Sequence, residues 1–290
     1  MNRLGIWVLA LSGGVPQQSR SMSIVQVGSE KLRVIDTGSA GPAIVFVHGN
    51  SLHIGSWEHQ MAAGEFGDWR RIAVDLPGHG ESAPSPEPDR RYSLRGYGET
   101  LKDLIEALSL DQVVLVGHSM GGHIAMEIAP EIPQVQGVFI FGAPPLRSLD
   151  DMGRGFLQSP LLRFIGAPQL GEAEAMEWAQ GMVAAGSEPP AWVVSSIMSV
   201  DPKARPALGA SLTPETMVDE VAALTKLSRP AAVAAGEREA LVDISYLREL
   251  DAPLWRGGAQ VIEGAGHSPQ WERPDEFNAL LCGYLDEIRG

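Results

Sequence analysis

"VVLVGHSMGGH", residues 113–123, decides how this chain folds. Four apolar residues, Val113 to Val116, read as a buried strand and run directly into Gly117-His118-Ser119-Met120-Gly121. The following stretch, "MGGHIAMEIA", reads as a helix. A G-x-S-x-G sequence between a strand and a helix is a sharp turn that holds its serine in strained backbone and presents the hydroxyl at the strand's end. The flanking glycines remove side chains that would clash there. The helix N-terminus behind the serine supplies partial positive charge for a developing oxyanion. Ser119 is therefore the candidate nucleophile. His118 beside it points elsewhere, and His123 reads as a helix residue with a packing or hydrogen-bonding role.

Working outward, short β-rich runs alternate with helical periods, the pattern of an α/β fold with a mostly parallel sheet. "AIVFVH" (43–48), "RRIAVD" (70–75), "QVVLVG" (112–117), "VQGVFIFG" (135–142), "PAAVAAG" (230–236) and "AQVIEG" (259–264) suit buried strands. "SIVQVG" and "KLRVIDTG" read as an antiparallel pair at the sheet edge. In "GYGETLKDLIEALSL", Tyr97, Leu101, Leu104, Ile105 and Leu108 make one apolar stripe. Pro274, followed by Asp275 and Glu276, suits the start of a C-terminal helix. The rhythm breaks from about Leu146 to Ser228, a segment without a convincing strand and too long for an ordinary loop. It reads as a helical cap inserted after the sixth strand. The expected division is a core over 22–145 and 229–290, a cap over 146–228, and an extension over 1–21.

The chain has 290 residues, 44% of them hydrophobic and 20% charged, which is enough apolar material for one large core. Its formal net charge of -14 repels phosphate backbones and anionic lipid, which argues against nucleic-acid partners and stable membrane association. The single cysteine, Cys282, excludes an intrachain disulfide and a cysteine zinc cluster, and its apolar helical setting suggests a buried small residue. At the start, Arg3 and the apolar run Leu4 to Leu11 resemble a signal peptide, but the run is short and no A-x-A site follows. It is also too short to span a bilayer. A weak export signal, an upstream start codon and an appended tail all fit this extension. The expectation is a cytoplasmic protein, with export through the N-terminal segment as the alternative.

Two further elements complete a reaction centre. His48-Gly49 ends a strand, and the backbone N–H of Asn50 is placed to converge with that of Met120 on one oxyanion, with the Asn50 side chain as a further donor or substrate contact. Of the seven histidines, His267 sits in "EGAGHSPQWERP", on a Gly-rich loop between a strand and a helix, and falls last in the order Ser, acid, His. His48 and His79 read as structural. An imidazolium formed at His267 needs a carboxylate partner, and "GEREALVD" (236–243) offers Glu237, Glu239 and Asp243, with Asp150 and Asp151 further away.

"HGNSLHIGSW", "AVDLPGHGES", "GHSMGGH" and "EGAGHSPQWERP" together resemble the α/β-hydrolase superfamily, over the chain from about Ser23 to its end. "HGNS", "PDRRYSLRGY", "GGHIAME", "GAPPL" and the tail from "AAVAAGERE" through "GAGHSP" more narrowly resemble the metal-free N-acyl-homoserine lactonases of this fold, which open the lactone ring of bacterial quorum signals, and the related carboxylesterases. The superfamily usually places its acid three residues beyond the glycine ending the strand, which selects Glu239 here, and the lactonase subgroup looks to use glutamate at that place. The position of Asp150 and Asp151 is an alternative used elsewhere in the superfamily.

The resemblance implies a serine hydrolase acting through Ser119, His267 and Glu239 on a small ester or lactone. It implies no cofactor and no metal. The H-x-H-x-D-H cluster of the zinc lactonases is absent. A serine at 119 also excludes the epoxide-hydrolase and dehalogenase chemistry that needs aspartate there. A general carboxylesterase is the near alternative, and a small-signal receptor of the same fold the distant one. The cap segment holds Met152, Met176, Met182, Met198 and Met217, with Trp178 and Trp192. Flexible thioethers and flat aromatics suit an acyl-chain pocket, with Trp178 as a lining residue, and they suit ordinary helix packing equally well.

Overall fold

Five of the short apolar runs become strands buried on both faces in the computed structural model, which describes residues 21–289. The strands are β1 (Ser21–Val27), β2 (Glu30–Asp36), β3 (Ala43–Val47), β4 (Arg70–Val74), β5 (Val113–His118), β6 (Val135–Phe141), β7 (Ala232–Gly236) and β8 (Gln260–Ile262). They form one sheet in the order β1-β2-β4-β3-β5-β6-β7-β8. From β4 to β8 every pairing is parallel. The β1–β2 and β2–β4 pairings are antiparallel, which places the expected hairpin at the edge. The fold is that of the α/β hydrolases. The N-terminal extension lies outside the described residues except for Ser21, which the structure assigns to β1.

Helices cover both faces of the sheet, as parallel strands require. The helix Leu94–Ala107 starts where the Ser93 hydroxyl accepts the Gly96 N–H at 3.0 Å, and it buries Tyr97, Leu101, Leu104 and Ile105 against one face. Each such side chain contributes roughly 1.5–3 kcal/mol of apolar burial. The C-terminal helix Pro274–Arg289 packs Phe277, Leu281, Tyr284 and Leu285 onto the other face. Cys282 departs from the expectation. It lies at the edge of that packing, half-buried, where burial pushes its thiol up to about 11.

Between β6 and β7 the described chain forms helices, and its only β-type pairings are isolated bridges from Phe156 to Val242 and from Ala231 to Leu254, both beyond β7. These helices have their own small core, in which Trp178 stacks on Phe164 at 5.5 Å between ring centroids. Leu52, from the loop after β3, belongs to the same cluster, so cap and core share packing. No helix among the described residues is long and apolar enough to cross a membrane.

β3 lies between β4 and β5, so the connections leaving the neighbouring strands β3 and β5 run in opposite directions across the sheet. A crevice forms at the carboxyl ends of strands where the order reverses in this way. The loops that follow β3, β5, β7 and β8 carry Asn50, Ser119, Glu239 and His267 respectively. Topology alone thus gathers four distant pieces of sequence.

Candidate active site

Ser119 takes φ 50° and ψ -118°, a conformation that costs a side-chain-bearing residue about 1–3 kcal/mol. The surroundings over-determine it. Its N–H donates to Phe141 O at 2.9 Å, and its carbonyl accepts from Gly122 N–H at 2.8 Å and His123 N–H at 3.2 Å. Gly121 is required by close approach: a Cβ there would lie 2.2 Å from Val47 O and 2.8 Å from His48 O. Those atoms are backbone and cannot step aside. Gly121→Ala is accordingly expected to cost about 3 kcal/mol or more, lowering Tm by about 6 °C or more in a thermal scan. A shift under about 2 °C would show that the turn can relax.

Ser119, Met120, Asn50 and His267 all line one cavity. Among the described residues neither the Asn50 nor the Met120 backbone N–H donates to a protein acceptor, so both remain available to an oxygen bound there. The Asn50 side chain is also tied to its surroundings. Its Nδ2 donates to Ile165 O of the cap at 3.1 Å and its Oδ1 accepts the Ser51 hydroxyl at 3.1 Å. Ser51, at φ 65°, is held in turn by cap residues: Arg205 Nη1 donates to its hydroxyl and Ser196 Oγ to its carbonyl. The loop after β3 is fastened to the cap at three points.

His267 Nδ1–H donates to Glu239, 2.8 Å to Oε1 and 3.0 Å to Oε2. Glu239 is buried, and its Oε2 also accepts from the N–H groups of Leu241 at 3.2 Å and Val242 at 3.3 Å. The other candidate acids are occupied elsewhere. Glu237 accepts the Gly264 N–H at 3.0 Å, Asp243 caps the helix Ile244–Glu249, and Asp151 accepts the Arg147 N–H at 3.1 Å. Asp150 is exposed.

Three of the rival histidines are engaged elsewhere. His48 donates from Nδ1 to Gly49 O and accepts the Leu76 N–H at Nε2, and burial holds it neutral, well below the usual imidazole range. His79 is lowered to about 4 by burial. His118, also depressed by burial, stacks on Phe141 and donates from Nε2 to His267 O at 3.0 Å.

Residues 44–280 match the family model described as the alpha/beta hydrolase family. The chain belongs to that family. The hydrolase is similar over nearly its whole length to N-acyl homoserine lactonase AidH. A structure of an AidH mutant with N-hexanoyl homoserine has a TM-score of 0.88 at 27% identity, covering 93% of this chain and 98% of that one. The complex with N-butanoyl homoserine has a TM-score of 0.87 at 28% identity, covering 92% and 97%. A pimeloyl-[acyl-carrier protein] methyl ester esterase of Xanthomonas oryzae pv. oryzae is 27% identical, over 88% of this chain and 99% of its own. An uncharacterized protein of Mycobacterium tuberculosis is 26% identical, over 88% and 78%.

Apart from His118 and His123, the rest of the hydrolase's cavity is apolar, and the cap methionines divide there. Met152, Met182 and Met217 line it together with Trp178. Met176 and Met198 are instead exposed, and Trp192 packs edge-on against Trp271, away from the lining. Sequence reasoning missed three supports. Glu272 accepts the Gly266 N–H beside His267 and the Ala184 N–H of the cap, both at 2.7 Å. Gly142, at φ 62°, leaves room for the imidazole, since a Cβ there would lie 2.8 Å from His267 Cε1. His118 anchors the same loop from below. A carboxylate in "WERP" and a glycine after the sixth strand were visible as letters, but Ala184 and His267, which they meet, lie far away in the chain.

Proposed function

We propose that this hydrolase cleaves carboxylic esters through Ser119, His267 and Glu239, and that its substrates are N-acyl-homoserine lactones, whose ring it opens. The observation that carries the reading is the buried Glu239 carboxylate on His267 Nδ1, in the cavity lined by Ser119. A carboxylate at Nδ1 keeps the neutral ring's proton there and leaves Nε2 as the base. Nε2 takes the Ser119 proton as Oγ attacks the carbonyl carbon. The N–H groups of Asn50 and Met120 hold the oxyanion, each worth roughly 10²–10³ in rate. The tetrahedral adduct collapses to an acyl-enzyme as His267 returns its proton to the leaving alkoxide. Water, deprotonated by the same nitrogen, then releases the acid.

For a lactone the alcohol stays tethered to the acyl-enzyme, so water must outrun re-closure of the ring. The lactone preference is supported by the full-length likeness to AidH and by a cavity whose Met152, Met182, Met217 and Trp178 suit an aliphatic acyl chain. The likeness to the Xanthomonas methyl ester esterase supports a linear-ester reading instead.

The test is kcat/KM for N-hexanoyl homoserine lactone beside p-nitrophenyl hexanoate, with Ser119→Ala as the blank. Ring opening as fast as ester cleavage, or faster, is expected. Cleavage of the activated ester alone would make the protein a carboxylesterase. Binding of the lactone without turnover of either would make it a receptor.

A further inference from the structure

The cavity holds a second histidine–carboxylate pair that the chemistry above does not use. His123 lies one helical turn beyond Ser119, on the helix Met120–Ile128, and lines the same cavity. Its Nδ1–H donates to Glu220 Oε1 at 2.7 Å. Glu220 is 2% exposed and is fixed by the loop after β6: its Oε2 accepts the Leu146 N–H at 2.9 Å, and its own N–H donates to Leu146 O at 2.8 Å. Among the described residues His123 Nε2 has no protein partner. Its ring packs against Phe156, 6.0 Å between centroids, and the cavity they share is also lined by Leu146, Met152 and Met217.

A histidine held this way is costly to keep in an apolar wall unless something uses it. Burying a carboxylate to orient one imidazole has no packing benefit that a leucine would not supply. The orientation has a definite chemical result. With Glu220 ionised, the neutral ring carries its proton on Nδ1, and Nε2 presents a lone pair to the cavity. His123 lies four positions beyond Ser119, a rise of roughly 6 Å along a helix. Helical side chains lean toward the N-terminus, so the ring tilts toward the Ser119 end of the cavity that both residues line.

We propose that His123, oriented by Glu220, is a specificity-determining residue whose Nε2 accepts a hydrogen bond from an N–H or O–H donor on the carbon next to the scissile carbonyl. The favoured substrates are esters or lactones of α-acylamino or α-hydroxy acids rather than simple alkanoate esters. N-acyl-homoserine lactones carry such an N–H, so the inference deepens the lactone reading and rests on the same cavity, but it applies equally to linear esters.

Two matched pairs test it. N-hexanoyl homoserine lactone is compared with α-hexanoyloxy-γ-butyrolactone, which replaces the N–H by oxygen. The p-nitrophenyl ester of N-hexanoylglycine is compared with that of hexanoyloxyacetic acid in the same way. The readout is the ratio of kcat/KM within each pair, in the unaltered enzyme and in two variants, His123→Phe and Glu220→Gln. A ratio cancels any loss common to both substrates, including loss of folded enzyme, and the change in ratio isolates the contact.

The ratio is expected to fall about tenfold in His123→Phe, the worth of one hydrogen bond. In Glu220→Gln the glutamine oxygen keeps the Leu146 N–H, and its amide turns toward Nδ1. The ring proton then moves to Nε2, and the preference for N–H disappears or reverses. A ratio unchanged in His123→Phe overturns the inference while leaving ring opening intact. Lactones left untouched while the linear pair still loses its N–H preference in His123→Phe overturn the lactone reading and uphold the inference. Turnover of none of the four overturns both.

Discussion

Replacing Ser119 by glycine is expected to abolish turnover and, at the same time, to make the protein more stable. The hydroxyl is the proposed nucleophile, and loss of a nucleophile of this kind lowers kcat by roughly 10⁵–10⁶. The stabilisation comes from the backbone. At φ 50° and ψ -118° the residue occupies a region open to glycine and closed to side chains. Relief of that strain outweighs glycine's extra unfolded-state entropy by about 1 kcal/mol, which raises Tm by about 2–4 °C.

Ser119→Ala separates the two effects, because alanine keeps the Cβ and the strain while removing the oxygen. It should be equally inactive with an unchanged Tm. Thermal scans of the three proteins beside their rates make the check. Equal stability of the glycine and alanine variants would mean that the turn carries no strain.

Glu239→Gln should lower kcat by about 10⁴ with little change in KM, although the side chain keeps its size. Oε2 is claimed by the N–H groups of Leu241 and Val242, so the glutamine oxygen stays with them and its amide faces His267. An amide donates where a carboxylate accepts. The ring must then put its proton on Nε2, the wrong tautomer for taking a proton from Ser119. Nitrogen chemical shifts of the imidazole report that change directly. Asp243→Asn supplies the comparison: Asp243 caps a helix, so its loss should cost about 1 kcal/mol of stability at most and leave kcat alone. A Glu239→Gln enzyme within tenfold of full activity would remove Glu239 from the mechanism.

The parts legible in the sequence are those governed by short-range sterics. The serine turn, the edge hairpin and the strands ending at Val47, His118 and Gly236 follow from glycine placement and apolar runs only a few residues long. The superfamily count from the strand's end leads to Glu239, whose carboxylate meets His267 Nδ1, along a stretch where strand and loop are contiguous.

The unread parts depend on pairs far apart in the chain. His123 meets Glu220 across 97 positions, and Asn50 meets Ile165 across 115. Neither Glu220 nor Ile165 stands out locally, since the cap helices are short and lack a clear apolar stripe. The cap methionines show the same limit: Met176 and Met182 belong to one stretch of sequence, yet one meets solvent and the other the cavity. Composition identified a thioether-rich segment, while the facing of each side chain is set by tertiary packing.

The three ties between the loop after β3 and the cap bear on how such a protein can change over generations. Enzymes with lids are often pictured as a constant engine beneath an exchangeable hood, with new substrates acquired by swapping the hood alone. Here Ile165, Ser196 and Arg205 hold the very turn whose Asn50 N–H faces the cavity. A transplanted hood lacking those three contacts would bring a new pocket and a slack engine together. Selection on substrate range and selection on rate therefore act on the same residues, and descendants of this protein are constrained to diverge by small steps within the cap that leave those fastenings in place.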